Sequence, residues 1–393
     1  MKYPGRFTRR IVLRRAVLGL GAAGLASVMT LGAASAEQTI KIGVITDKTG
    51  NARFYAEPVL QGILLAAKVV NAEGGLLGKK IELVIEDDGN KPDVSASKAQ
   101  KLIDAGVVAI ISNSSSTSSQ QAQNTTIKTL TPQVTHNGSD TLTRKLDNKC
   151  FFQIGPLGSI QIRTLMSYAR SKNYKRVALM TDNTALGQIL AKFFKISLEK
   201  SGAKVVVEQV VPAGAKSALP QMQKVRAAKP DAIFQAAILG REMVLFFRAY
   251  HQLGMKQQVL GSFNLSIPTY LRTAKDLMEG VAFIDAFDPA KPEAQAFIAH
   301  YKKEHGKTPF SLPGYGYDDL MFVVQAIKRA GSTDKAKVCA ALQATKGYRG
   351  VMGAKTESYG FPAGKRTGFP PEGAVVRLIK DNKHGPVVHA GTK

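Results

Sequence analysis

The sequence predicts an α/β protein of two doubly wound lobes, each a parallel sheet covered by helices. Three observations predict it. Apolar segments of strand length alternate with segments of helical periodicity along most of the chain. The alternation comes in two sets of similar length. Removing an N-terminal export signal of 36 residues from the 393 leaves 357, a length that usually folds as two domains. At 44% hydrophobic residues, the chain can build full cores.

The export signal has to be separated from a competing reading. The stretch VLGLGAAG (17–24) has the spacing G-x-G-x-x-G of a dinucleotide-binding loop. Its context is wrong. TRRIVLRR upstream carries Arg9, Arg10, Arg14 and Arg15, which a buried parallel strand would not tolerate. Only twelve residues separate Gly24 from Glu37, too few for a helix and a strand. A basic segment, a glycine- and alanine-rich apolar segment and Ala34-Ser35-Ala36 as an A-x-A site instead describe a signal peptide over 1–36, cleaved after Ala36. Arg9-Arg10, with Thr8 before and Leu13 after, fits a twin-arginine signal and a general secretory signal equally. Export across the cytoplasmic membrane follows.

The elements of the remaining chain read in order. TIKIGVIT (39–46) is a strand, followed by a loop and a helix within PVLQGILLAAKVVNAEG (58–74). KIELVIEDD (80–88) is a strand, VSASKAQKLIDAG (94–106) a helix and VVAIIS (107–112) a strand. Helix SSQQAQNTTIKTL (118–130) leads to QVTHNGS (133–139) and CFFQIGP (150–156). The second set opens with helix RTLMSYARSKN (163–173), strand RVALMTD (176–182), helix LGQILAKFFKISLEKSG (186–202) and strand KVVVEQVVP (204–212). SALPQMQKVRAAK (217–229), DAIFQAAI (231–238), REMVLFFRAYHQLG (241–254) and QVLGSFN (258–264) continue the alternation. The strands are short and apolar, and the helices repeat apolar residues with period 3.6. The tail from Gly360, rich in glycine, proline and lysine, should add a strand or two around GAVVRLIK and end loosely.

The formal charge is +25, falling to +19 without the signal. The lysines are spread over helix faces, and no aromatic-interleaved basic patch is present, so no nucleic-acid partner is expected. The charge is read as a field that favours encounter with anions. No second apolar run of membrane-spanning length follows the signal. No cysteine lies near the cleavage site, which argues against a lipid anchor. Cys150 and Cys339 allow at most one bridge, and two separate buried thiols are the favoured reading.

Ligands of such folds sit beyond the carboxyl ends of the strands, and between two lobes the natural site is the cleft. That directs attention to loops 47–55, 112–119, 135–140, 182–187, 235–241 and 262–266. SNSSSTSS (112–119) follows a strand and opens a helix. Its hydroxyls exceed the needs of one N-cap and suit a carboxylate. THNGSD (135–140) has the same character. Phe54 and Tyr55 are placed in a loop, where they would roof a ligand. No G-x-S-x-G elbow, P-loop or H-E-x-x-H is present. His300 and His305 read as solvated surface. Asp87-Asp88 and Asp318-Asp319 read as structural, the second pair at a helix start. Nothing assembles a nucleophile with a base, so no enzyme, cofactor or metal is expected.

IKIGVITDKTGNA, NAEGGLLGKKIELVIEDD, DNTALGQ, GYGYDD and YRGVMG together resemble the leucine/isoleucine/valine-binding protein family, type I periplasmic binding proteins of ABC importers. The resemblance spans the mature chain. It implies two Rossmann-like lobes joined by three crossovers, which close over a ligand by a hinge and deliver it to an inner-membrane permease. It places the lobes at 37–155 plus 285–345 and at 156–284 plus 346–393. A monomer is expected. The family's first-lobe contacts fall on Tyr55, Ser116, Asn137 and Ser139, all compatible with holding a carboxylate.

The second lobe departs from the family. Two tyrosine positions fall on Leu186 and Leu239, and the acid that pairs with a ligand's ammonium falls on Phe263. Glu242 is near in sequence but aligns to a helix. A buried ammonium without an anion is costly. The expected ligand is therefore a small carboxylate, either an ammonium-free acid with an apolar or aromatic body or an amino acid held by an altered ammonium site. A ligand sensor presenting the same fold to a membrane receptor is the alternative role.

Overall fold

The computed structural model describes residues 39–393 other than 51, 145, 146, 184, 213, 237, 239, 354–358, 392 and 393. The export signal and its cleavage site lie outside the described residues. No helix among the described residues is long and apolar enough to cross a membrane.

Elements β1 (Ile40–Thr46), α1 (Arg53–Ala72), β2 (Ile81–Asp87), α2 (Pro92–Asp104), β3 (Ala109–Ser112), α3 (Ser116–Thr126), β4 (Gln133–Thr135) and β5 (Phe151–Gln153) build the first sheet and its helices. Its strand order is β2-β1-β3-β4-β5 and every pairing is parallel. Ile42, Val44 and Ile45 of β1 are buried, as a strand covered on both faces requires.

The chain then crosses into α4 (Gly158–Ser171), β6 (Arg176–Thr181), α5 (Ala185–Glu199), β7 (Lys204–Val210), α6 (Leu219–Ala227), β8 (Ala232–Gln235), α7 (Gly240–Gln252), β9 (Gln258–Gly261), α8 (Pro268–Ala274) and β10 (Ala282–Asp285). It returns as α9 (Pro292–His305), α10 (Ser311–Ala330) and α11 (Lys335–Gln343), where α10 packs along α1. It crosses a third time into β11 (Val375–Lys380) and β12 (Lys383–Ala390). The second sheet runs β12-β11-β10-β9-β8-β6-β7. Its β7-β6-β8-β9-β10 portion repeats the order of the first sheet. In both, the order reverses beside the first strand of the set, which opens a crevice there.

Four expectations are corrected. The second sheet is mixed, because β11 pairs antiparallel with β10 and β12 antiparallel with β11. The tail beyond GAVVRLIK is held as far as Gly391: β12 pairs with β11 and the Gly391 amide donates to the Ala374 carbonyl at 2.7 Å, while the last two residues lie outside the described part. Helix α1 starts at Arg53 rather than near Pro58, because the Asp47 carboxylate accepts from the Gly50 and Ala52 amides and caps the turn before it. Phe54 and Tyr55 are thus helical. Asp318 and Asp319 lie buried in the middle of α10, not at its start.

The cysteine reading is also overturned. Cys150 and Cys339 form a disulfide with Cα atoms 5.3 Å apart. Helix α11 lies against the segments entering β4 and β5, where Lys335 Nζ donates to Thr131 Oγ1 at 3.0 Å. That tertiary contact brings together two cysteines separated by 189 residues.

Helices α1 and α10 touch through glycines. A Cβ on Gly316 would meet the Val59 carbonyl, and one on Gly62 the Pro313 carbonyl. Because the obstacle is backbone, Gly316→Ala is expected to destabilise the protein by about 1–3 kcal/mol. Thermal unfolding reads this directly, and an unchanged midpoint would mean that the two helices separate freely.

Candidate ligand-binding cleft

The cleft lies between the sheets and is lined by Tyr55, His136, Gly138, Pro156, Gln161, Phe263 and Tyr315. Its empty volume is about 250 Å³, part of it open to solvent. Each wall follows from the fold. Tyr55 sits in the first turn of α1. His136 and Gly138 follow β4, at the carboxyl end of the first sheet. Pro156 and Gln161 flank the first crossing, and Phe263 follows β9. Loop and crossing approach closely because both carry glycine. A Cβ on Gly155 would meet the His136 carbonyl, and one on Gly138 would meet the Pro156 carbonyl. The Gly158 amide donates to the Gly138 carbonyl at 2.8 Å.

The floor is an aromatic and imidazole cluster. His136 Nε2 lies 2.8 Å from the Tyr55 hydroxyl, and His136 Nδ1 lies 2.5 Å from Asp319 Oδ2. The Tyr315 ring stacks on His136 at 5.1 Å and 15°. The Phe263 ring meets Tyr55 edge-on at 6.0 Å and 75°. Burial pushes the Asp319 carboxyl upward, and His136 opposes that shift. Burial, and then the Asp319 charge, push the Tyr55 phenol upward, so it keeps its proton. No carboxylate is among the described residues lining the cleft.

Of the residues expected from sequence, the structure brings Tyr55 and Phe263 together here. Asn137 lies one residue from the lining, but its side chain turns inward, donating to Ser119 Oγ at 2.8 Å. Ser139 pairs with Thr141 Oγ1 at 3.0 Å, and its carbonyl accepts from Gln153 at 3.1 Å. Ser116 opens α3, but the cap is Ser115, whose side chain accepts from the Ser118 amide. None of these three lines the cleft. Leu186 lies in the first turn of α5 and its side chain is outside the described part, as is the whole of Leu239. Glu242 accepts from the Gly214 amide at 2.7 Å, away from the cleft lining.

The serine loop spends much of its polarity internally. Ser114 donates to Asp88 at 2.7 Å, Ser112 Oγ accepts from Gln133 at 2.9 Å, and the Ser112 carbonyl accepts from Thr135 at 2.7 Å. Asp87 and Asp88 are structural, as expected. Asp318 is too, accepting from the Val351 and Met352 amides, both at 2.8 Å. Burial raises its carboxyl to about 7. Asp319 is different, since it reaches the cleft through His136. His136, Tyr315 and Gln161 were missed. The available signal was GYGYDD read as helix, which puts Tyr315 and Asp319 on one face at i, i+4.

Two sheets of the same strand order, three crossings and a cleft at the strand ends define a type I bilobal ligand-binding protein. The family model described as periplasmic binding protein matches residues 39–363, and the chain belongs to that family. A Leu/Ile/Val-binding protein homologue of Brucella melitensis is 30% identical over 343 residues, covering 85% of this chain and 91% of the relative. Two solved structures share the fold. One is the branched-chain amino acid transporter substrate-binding protein of Streptococcus pneumoniae in complex with isoleucine, with a TM-score of 0.77, 24% identity and coverage of 90% and 99%. The other is a solute-binding protein of an ABC transporter from Rhodopseudomonas palustris in complex with 3,4-dihydroxybenzoic acid, with a TM-score of 0.75, 23% identity and coverage of 90% and 97%.

Proposed function

We propose that the chain is the exported, periplasmic binding component of a branched-chain-amino-acid-type ABC importer and that its ligand is a small carboxylic acid without an α-ammonium. One observation carries the ligand reading: Phe263 stands where the family resemblance puts the ammonium-pairing acid, and it forms a cleft wall against Tyr55. An α-ammonium in a cleft with no carboxylate among its described lining residues would lose its hydration for no ionic partner there, at a cost of several kcal/mol. Aromatic walls instead suit an apolar or aromatic body.

The protein binds without catalysing. The lobes built on the two sheets close over the ligand at the three crossings, and the closed form is what a permease recognises. The positive charge of the mature chain speeds encounter with an anion. The chain acts as a monomer whose signal is removed after Ala36. The Rhodopseudomonas palustris structure, with its benzoic acid ligand, supports an aromatic acid. The Brucella melitensis relative, named for leucine, isoleucine and valine, supports an amino acid.

A thermal-shift panel on residues 37–393 separates the two, pairing leucine with 4-methylpentanoate and phenylalanine with 3-phenylpropanoate and cinnamate. A ligand that binds the native state raises the melting temperature by mass action. Shifts are expected from the ammonium-free acids. Shifts from the amino acids alone would refute the ligand reading.

A further inference from the structure

Within the cleft as read above, His136 has a role beyond lining it. We propose that His136 determines specificity by positioning: its Nε2–H donates to the Tyr55 oxygen, which leaves the Tyr55 O–H to donate to the anionic group of a carboxylic acid in the cleft. The inference rests on the reading of the cleft as a ligand site.

The argument is a count of protons. The His136 side chain is 1% exposed and that of Asp319 0%. Nδ1 and Oδ2 lie 2.5 Å apart, so a hydrogen must lie between them. Two arrangements leave the pair with no net charge and no hydrogen stranded on Oδ1. In one, an imidazolium donates from Nδ1 to the carboxylate. In the other, a carboxylic acid donates to Nδ1. In both, Nε2 carries a hydrogen, and its partner at 2.8 Å is the Tyr55 oxygen. Nε2 is bare in two other states: a neutral imidazole beside a carboxylate, with a net charge of −1, and a neutral Nδ1–H imidazole beside an acid protonated on Oδ1. Burial opposes the first, and Asp319 Oδ1, fully buried and without a hydrogen-bond partner among the described residues, disfavours both.

Among the described residues, no cation contacts the imidazole to change the count. Against the imidazole, α1 presents the Tyr55 phenol, and α10 presents the stacked Tyr315 phenol and Asp319. Asp318 is held by the Val351 and Met352 amides and the Tyr348 hydroxyl instead. With its oxygen accepting from Nε2, the Tyr55 hydroxyl hydrogen is directed away from His136. Tyr55 lines the cleft, so the hydrogen meets the ligand. A donor there favours a carboxylate and disfavours an ammonium. The sign of this contact therefore agrees with Phe263 but is reached from different atoms.

The test has two arms. The first is the nitrogen-15 spectrum of the imidazoles in ligand-free residues 37–393 at pH 7, with His136 assigned by its loss in His136→Gln. A hydrogen on Nε2 is expected. An Nδ1–H tautomer with bare Nε2 would overturn the proposal. This arm needs no ligand, so it stands apart from any failure of the ligand reading. The second arm is calorimetry with 3-phenylpropanoate. Tyr55→Phe should weaken binding tenfold or more. Unchanged affinity in Tyr55→Phe would also overturn it.

Discussion

Phe263→Glu is expected to invert the ligand preference. The new carboxylate would stand at the edge of Tyr55, on a wall with no acid among its described residues. An anionic ligand beside it meets a like charge in a partly dehydrated site, which raises the carboxyl pKa values and weakens binding. A loss of about 100-fold for 3-phenylpropanoate, or roughly 2.7 kcal/mol, is the expected scale. Phenylalanine gains the anion that its ammonium lacks, so its affinity should rise. Phe263→Leu is the control: it keeps an apolar wall, loses ring contact with Tyr55, and should reduce acid binding only modestly. Calorimetry of both ligands against the three proteins gives the comparison. Equal losses for acid and amino acid in Phe263→Glu would mean that the position supports the fold of the wall and does not choose the ligand.

Cys150→Ser is expected to cause the largest loss of stability. The bridge closes a loop across 189 residues of sequence. In the chain-entropy description, cross-linking so long a loop stabilises by about 5 kcal/mol, and measured bridges more often contribute about 2–4 kcal/mol. The bridge also ties α11 to the segment entering β5, and α11 joins the segment that makes the third crossing. Urea unfolding of oxidised, reduced and Cys150→Ser protein should show a lower midpoint for the latter two. Coincident midpoints would mean that packing alone holds α11 in place. The oxidising periplasm is the compartment in which the bridge would persist.

The parts of the fold legible in sequence are those whose cause is local. Val and Ile runs of four to eight residues mark strands wherever both faces are covered, and β1, β3, β6 and β8 are found where those runs lie. The start of α1 was hidden because its cap is the side chain of Asp47, five residues before Ala52 and outside any N-cap spacing, while Pro58 looked like a first helical residue. Antiparallel β11 was indistinguishable from a parallel strand because both are apolar runs.

The cleft divides the same way. Tyr55 and Phe263 were reached by carrying the resembled family's positions onto short motifs. The His136–Asp319 contact joins residues 183 apart, brought together by α10 packing along α1 after two crossings. The hydroxyls of the serine loop were overvalued because sequence shows how many donors are present but not how many are already engaged. Ser114 and Asp88, 26 residues apart, illustrate this.

The most direct test of the account is side-by-side calorimetric titration of residues 37–393 with 3-phenylpropanoate and L-phenylalanine, which differ by the ammonium alone. The account predicts that the acid binds and that the amino acid binds at least about 100-fold more weakly, the scale of an unpaired charge. Tighter binding of L-phenylalanine would contradict it, because some group would then have to neutralise the ammonium in a cleft where Phe263 replaces the acid.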